Sequence, residues 1–352
     1  MAKTYFIGDL HLGAKFAYST AATRERFVHK QKKTIEVLAD LEGTLCFMGD
    51  VFDKFQVDVR TFVEAYQLLA GANCKHNLIL AGNHDLSKNS NLQGSLQVLQ
   101  EIGKANFTVG CWQVHQQGER EIVLVSHCLT QELFDKTIED IISHPRVSGH
   151  RTLVLHCNLG DWDGKSSENY LTLKQADRLS EVFDLMVSGH QHDYSVHSFS
   201  GCFMYFTGAI CPMNFGELGD KYILELDDVT NEVVRLKISD LEGSPQFTDR
   251  LIDVADFLND DFQLEDDIDF ITVFGDTTPS DNVEVTKKLQ RILATHPTVI
   301  AAKPNITVIR KEELDGDRES PTEVTGWLGE VMERLNEEGH TYLANLENGI
   351  VH

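Results

Sequence analysis

The sequence predicts a layered α/β domain followed by a smaller α/β unit, on three observations. Short apolar runs alternate with helix-like stretches over the first 220 residues, the pattern of strands and helices stacked in layers. Several runs are followed at once by Asp, His or a Gly-led polar turn, as at the carboxyl ends of strands where an open sheet binds ligands. Finally, 352 residues with 41% hydrophobic and 24% charged side chains are too many for one small core and too apolar for a disordered chain.

The runs are Thr4–Ile7, Thr44–Met48, Asn77–Ala81, Ile122–Val125, Thr152–Leu155, Leu185–Val187 and Phe203–Phe206. They read as strands. Arg24–Leu41 and Val59–Ala70 show helical spacing. In the second, Val59, Phe62, Val63, Tyr66, Leu69 and Ala70 share one face. That face is expected to pack on the sheet, with a dimer contact as the alternative. After Lys221–Leu226 the composition shifts. Asp253–Asp269 is acid-rich and runs into apolar Ile268–Phe274, Asn282–Leu293 reads as a helix, and Pro297–Arg310 reads as an extended, hairpin-like stretch. Together these make a small β-α-β cap. Lys311–Pro321 reads as a linker. Glu323–Asn336 reads as an amphipathic helix with Val324, Trp327, Leu328, Val331 and Leu335 on its apolar side, docked on its own domain or gripping a partner. The expected domains are 1–220, 221–315 and 316–352.

Charge and cysteine usage narrow the class. The net charge is −24, with 19 Lys+Arg against 26 Asp+Glu in residues 1–220 and 12 against 29 in residues 221–352. Such a surface repels nucleic acid unless a metal, a local basic strip or a partner reverses the field. Seven scattered cysteines without a CxxC pair read as buried thiols in a reducing compartment. No apolar run approaches the roughly 20 residues of a membrane span, and Asp9 comes too early for a signal peptide. A cytoplasmic protein is expected.

The chemistry sits at five strand ends. Phe6-Ile7-Gly8 leads into Asp9-Leu10-His11, and Leu45–Met48 into Gly49-Asp50-Val51-Phe52-Asp53. Leu78–Ala81 leads into Gly82-Asn83-His84-Asp85, Leu153–Leu155 into His156, and Leu185–Ser188 into Gly189-His190-Gln191-His192. Neighbouring strand ends would gather these side chains despite their separation in sequence. Carboxylate, imidazole and amide ligands without thiolate suit Mn²⁺, Fe or Zn²⁺. There are enough for two ions if one carboxylate bridges them. Two close ions can activate water and stabilise in-line displacement at phosphorus. The glycines before Asp50, Asn83 and His190 leave room for sharp turns and close backbone approach. His127 is a weaker candidate, a loop or substrate contact without a companion ligand. His115, His144, His150 and His197 read as surface or structural, and Asp161 and Asp163 as a solvated turn.

As a set these motifs resemble the calcineurin-like metallophosphoesterases, over roughly residues 4–192. The resemblance implies a four-layer α/β/β/α sandwich. It implies that Asp9, His11, Asp50 and His192 bind one metal and Asp50, Asn83, His156 and His190 the other. It makes His84 a general acid or phosphate-orienting group held by Asp85. A His paired with a carboxylate also suits protonation of a phosphodiester's leaving oxygen on physical grounds. Asp53 and Asp85 are expected to fix ring orientation, with helix capping as the alternative.

The segment Thr207-Gly208-Ala209-Ile210-Cys211-Pro212-Met213-Asn214-Phe215-Gly216-Glu217 resembles one in SbcD-type nuclease subunits, with Ala209 where Ser is usual. Asp220-Lys221-Tyr222 leads into a strand, as in those proteins. The implied function is a DNA exonuclease and endonuclease subunit working with an SMC-like SbcC-type ATPase in double-strand-end processing, as a homodimer, with two divalent ions, Mn²⁺ foremost and Mg²⁺, Fe or Zn²⁺ as alternatives. The length suits the compact versions carried by phages. Lys15, Lys54 and Lys88 follow the motifs and are expected to form a phosphate strip or to be solvated. The competing function is a stand-alone nucleotide or phosphoprotein phosphoesterase.

Overall fold

The computed structural model describes residues 3–70, 76–87, 94–103, 106–108, 112–147, 149–160 and 168–309. The chain divides into two compact units, one of residues up to 17 with 24–247, the other of 18–23 with 248 onward. In the first, β1 (Lys3–Ile7), α1 (Ala21–Ala39), β2 (Thr44–Phe47), α2 (Val59–Ala70), β3 (His76–Leu80), α3 (Ser95–Gly103) and β4 (Asn106–Thr108) alternate. Then come β5 (Trp112–Gln117), β6 (Arg120–Val125), α4 (Gln131–Ser143), β7 (His150–His156), β8 (Asn158–Leu159), β9 (Tyr170–Leu171), α5 (Leu173–Ser180), β10 (Leu185–Gly189), β11 (Ser195–Ser198) and β12 (Phe203–Phe206). β13 (Tyr222–Asp227) and β14 (Val233–Lys237) return to the first sheet.

The two six-stranded sheets have the orders β14-β13-β1-β2-β3-β4 and β11-β12-β10-β7-β6-β5. β1, β2, β3 and β4 run parallel, as do β6, β7, β10 and β12. Alternation along the strands sends side chains to opposite faces. Phe6, Cys46, Met48, Leu78 and Leu80 meet Ile122, Leu124, Val154, Leu185 and Val187 between the sheets. Their neighbours Val123, Val125, Leu153, Leu155 and Met186 pack instead on Phe134, Ile138 and Ile141 of α4 and Ala176 and Leu179 of α5. On the other side Ile7, Leu45, Phe47 and Ile79 are buried, as are Phe27, Ile35 and Leu38 of α1 and Ala65 and Leu69 of α2. The result is the expected four-layer sandwich. Each fully buried Leu, Ile or Phe contributes about 1.5–3 kcal/mol of transfer free energy.

Several expectations need correction. The first unit does not end at 220: β13 pairs antiparallel with β1, Tyr5 opposite Glu225, so the chain to Phe247 belongs to it. On α2 the buried positions are Ala65, Leu68 and Leu69, whereas Val59, Val63 and Tyr66 are 79%, 44% and 38% exposed. Helical spacing identifies an apolar stripe but not what covers it. In the second unit β15 (Asp249–Asp253), α6 (Val254–Leu258), β16 (Phe270–Thr277), α7 (Pro279–Thr295) and β17 (Ala301–Val308) form a three-stranded parallel sheet with two helices. Within the stretch 297–310, Ala301–Val308 is therefore a single strand paired parallel to β16, where a hairpin was expected. Pro304 lies within this edge strand, the position in a sheet where proline is tolerated. Ile252, Val254, Phe257, Ile271, Val273, Val285, Leu289 and Leu293 make the unit's own core.

The anticipated linker and amphipathic helix lie outside the described residues, as do Cys74, Lys88, Cys111, Asp161 and Asp163. Cys46, Cys128, Cys157, Cys202 and Cys211 are buried free thiols. No described helix is long and apolar enough to cross a membrane.

Candidate metal centre

The parallel strands bring their carboxyl ends to one edge, and the turns there are unusually tight. His11, Asp50 and His190 sit at φ of 46°, 45° and 80°, the left-handed region that costs non-glycine residues free energy. Specific bonds hold them. The Asp50 carbonyl accepts the N–H groups of Leu10 and His11 at 3.1 and 2.8 Å, and the His190 N–H donates to the Asp9 carboxylate at 3.0 and 3.1 Å. Gly49, at φ 101°, carries the chain past the His156 ring, where a Cβ would collide.

Every residue expected to hold metal is in this place. Ligand atoms of Asp9, His11 and His192 lie within 4.8 Å of one another, and so do those of Asp50, His156 and His190. Asp50 joins the two groups. Its Oδ1 accepts the backbone N–H of His84 at 2.9 Å. That leaves Oδ2 at 3.8 Å from His11 Nε2 and 3.4 Å from His156 Nε2. Asn83 Oδ1 lies 3.0 Å from His156 Nε2 and 3.1 Å from His190 Nδ1, completing the second group.

These residues fit a pair of cations. Asp9 and His156 are fully buried, and His11 and Asp50 are 2% exposed, so the charges are costly without a counter-ion. The Nε2 atoms of His11 and His192 face each other at 3.0 Å, about the spacing of adjacent ligands each some 2.1 Å from one ion. The outward nitrogens are braced. His156 Nδ1 meets the Met48 carbonyl at 2.7 Å, His192 Nδ1 meets Glu217 Oε1 at 3.0 Å, and His190 Nε2 meets Glu168 Oε2 at 2.8 Å. Such partners fix the tautomer and aim the other nitrogen at metal.

The electrostatics are those of a cation site. Burial pushes the Asp9 carboxyl up to about 6, with the Asp50 charge adding and His156 opposing. Burial pulls His11 down to about 3, so it stays neutral and able to ligate. Burial also works against charge on His156 and Asp50, but their mutual attraction outweighs it. The imidazolium is held up at about 10 and the carboxylate well below its usual range.

His84 belongs to neither group, but its ring nitrogen lies within 4.8 Å of ligand atoms of His11 and Asp53, a third cluster that shares His11 with the first. His84 is exposed, its ring meets that of His11 edge-on at 4.9 Å, and its Nδ1 lies 2.6 Å from the Asp53 carbonyl. With Nδ1 at that carbonyl, Nε2 is the ring nitrogen left to meet a phosphoryl or leaving oxygen. Asp85 does not hold this ring, contrary to expectation. Its carboxylate accepts the N–H groups of Val51, Phe52 and Gly82 at 3.1, 3.0 and 3.0 Å, because it is buried beneath the turn and ties the two loops together. The Asp53 carboxylate comes within 3.9 Å of His11 Nδ1, a buried atom with no hydrogen bond. Thus Asp53 faces the centre with its side chain and positions His84 with its backbone.

Two carboxylates were missed as supports. Glu217 sits in the quoted 207–217 segment, which offered a signal. Glu168 lies twelve positions beyond His156 with no local pattern to mark it. His127 does lie beside the centre, its ring 6.4 Å from that of His156, and burial pulls it down to about 4.

The sandwich and its Asp, Asn and His centre define a layered α/β protein built to hold divalent metal. Residues 2–194, more than half of the chain, match the family described as calcineurin-like phosphoesterase. This chain belongs to that family, whose members bind two divalent metals. No curated protein matches the chain in sequence. Among solved structures it is similar to a candidate 5′-nucleotidase from Staphylococcus aureus, crystallised with α-ketoglutarate, at 12% identity and a TM-score of 0.41 over 67% of this chain and 54% of that one. It is also similar to an archaeal phosphodiesterase, at 14% identity and a TM-score of 0.35 over 67% of this chain and 99% of that one. The chain thus spans about half the length of the nucleotidase it matches.

Proposed function

We propose that this hydrolase is a DNA exonuclease and endonuclease subunit, using Mn²⁺ and acting with a long coiled-coil ATPase of the SbcC type in DNA end processing, recombination and repair. The observation that carries it is the placement of the 207–217 segment, whose sequence resembles that of SbcD-type subunits. It packs against the metal centre: Ala209 N–H donates to the His192 carbonyl at 3.1 Å, and Glu217 braces the His192 ring. A divalent pair, when bound, supplies an acidified water and a positive field for the phosphoryl oxygens. The chain's own residues do the rest. Asp50 orients both groups, and His84, exposed on the rim, meets the leaving oxygen of a diester embedded in a polymer.

A homodimer belongs to the same proposal. The exposed stripe Val59, Val63 and Tyr66 on α2 is the kind of apolar surface such a contact covers. The ATPase is assigned to residues 323–336, whose sequence carries apolar helical spacing. A chain of net charge −24 clamps DNA poorly alone, and the ATPase would supply the basic surface. The same charge favours the competing function, a stand-alone nucleotide or phosphoprotein phosphoesterase.

The test is hydrolysis, with Mn²⁺, of bis-p-nitrophenyl phosphate and of linear duplex DNA, with and without the ATPase. Turnover of both, faster on DNA with the ATPase, is expected. Turnover of the small diester with intact DNA in every condition would reject the nuclease and leave the stand-alone enzyme.

A further inference from the structure

Beside the metal centre lies a cavity of about 260 Å³, lined by Gly13, Lys15, Arg24, Asp53, Lys54, Gln56, Val57 and Asp58. Its walls are the loops that follow β1 and β2, the same loops that supply Asp9, His11 and Asp50, together with Arg24 of α1. Asp53 belongs to both places. Its carboxylate faces His11, its carbonyl holds His84, and it also lines the cavity.

The cavity's charge is unusual for this protein. Acids outnumber bases 55 to 31 over the chain, yet three cations ring this small space. Lys15 and Lys54 are exposed, and among the described residues neither forms an ion pair. The Arg24 guanidinium is steadied by donation to the Gly13 carbonyl at 3.1 Å. The two acids in the wall are turned to other tasks. Asp58 accepts the Thr61 N–H and hydroxyl, each at 3.0 Å, at the start of α2, and Asp53 faces the imidazoles. Three cations against two carboxylates still leave the wall with a net positive charge, neither lysine is claimed by either acid, and Gln56 adds an amide donor. Guanidinium, ammonium and amide donors around an open space form a receptor for a phosphate group.

We propose that this cavity is a second phosphate site, taking the phosphate of a nucleic-acid strand next to the one held at the metal centre. It rests on the phosphodiesterase reading and adds a substrate class to it: a strand with at least two neighbouring phosphates. A small diester with one phosphate fills only the metal centre. A strand fills both, and the second contact sets the register of the scissile bond over His84.

Two measurements on the full-length protein separate the claims. The first is binding of a fluorescent single-stranded oligothymidylate in buffer without divalent metal, followed by anisotropy over a range of salt. Lys15→Ala/Lys54→Ala should raise the Kd about tenfold and flatten the slope of log K against log salt by about 0.7, the value for one phosphate contact on a single strand. Lys136→Ala/Lys174→Ala removes the same charge from exposed positions on α4 and α5, and should raise the Kd less than twofold. Equal Kd values for wild type and the first variant, equal losses in both variants, or no binding by wild type would each overturn the second site. The second measurement is hydrolysis of bis-p-nitrophenyl phosphate with Mn²⁺ by the wild type. Its failure, with the lysine-dependent binding intact, would remove the hydrolase reading while the phosphate site stood.

Discussion

Aspartates follow strands in both units, but with different outcomes. In the first, Asp9 and Asp50 come after β1 and β2 and end buried among imidazoles. In the second, Asp253 closes β15 and its carboxylate accepts the Ala255 N–H at 2.8 Å, capping α6. Thr278 does the same after β16, accepting the Asp281 N–H at 3.3 Å to cap α7. The backbones differ accordingly. Asp253 and Thr278 have ordinary φ of −63° and −85°, whereas Asp50 and His11 are left-handed. A carboxylate satisfied by its own helix needs no cation. One turned inward by a strained loop requires a counter-charge, and that requirement is what makes the first set chemical and the second structural.

Breaking the inward set should have the largest effect. Asp50→Ala removes the carboxylate whose Oδ2 faces His11 of one ligand group and His156 of the other. It should abolish metal retention, read by elemental analysis, and cut diester hydrolysis by roughly a thousandfold or more; retention of two ions per chain would refute the bridging role. Next comes His84→Ala, which should keep the metal and lose about 10²–10⁴-fold in kcat. An enzyme with full turnover after this change would have its acid elsewhere. Glu217→Gln leaves the ligands in place but weakens the brace on His192, and should lower metal affinity by about 10–100-fold, measurable by Mn²⁺ titration; unchanged affinity would make Glu217 a packing residue only.

Acidity should sharpen the same contrast. Both Asp9, at about 6, and His156, at about 10, must give up a proton before they can ligate, so metal affinity should rise with pH. His156 alone accounts for about tenfold per unit between pH 6 and 10, and Asp9 steepens the dependence below 6. Affinity that stays flat from pH 5 to 8 would exclude both as ligands. The smallest effect belongs to the second unit. Asp253→Ala should cost about 0.5–2 kcal/mol of stability in chemical denaturation and leave diester hydrolysis untouched; a loss of activity would mean that the strand-end acids of the two units are not so different after all.

Much of the centre was legible because residues able to ligate metal immediately follow apolar runs, and a strand end is a place that sequence can locate. Asp9, His11, Asp50, Asn83, His156, His190 and His192 were all singled out this way, and the structure brings them together. Asp85 shows where legibility stops. Its type and position suited a partner for His84, but three N–H groups from neighbouring loops claim its carboxylate, and which donors reach an oxygen depends on how separate turns meet. The same holds for α2, whose apolar spacing was plain while the exposure of Val59, Val63 and Tyr66 was not.

By itself the chain's order of residues determined the alternation of strands and helices, the chemical identity of the candidate ligands and their place at strand ends, because these follow from local periodicity and residue type. Only the tertiary structure decided that β13 crosses back to pair with β1, that Glu217 and Glu168 brace His192 and His190, that Asp53 holds His84 through its carbonyl, and that Lys15, Arg24 and Lys54 surround one cavity. Each of those joins residues distant in sequence, and a contact closed across a long loop leaves no periodic trace in the segments it connects.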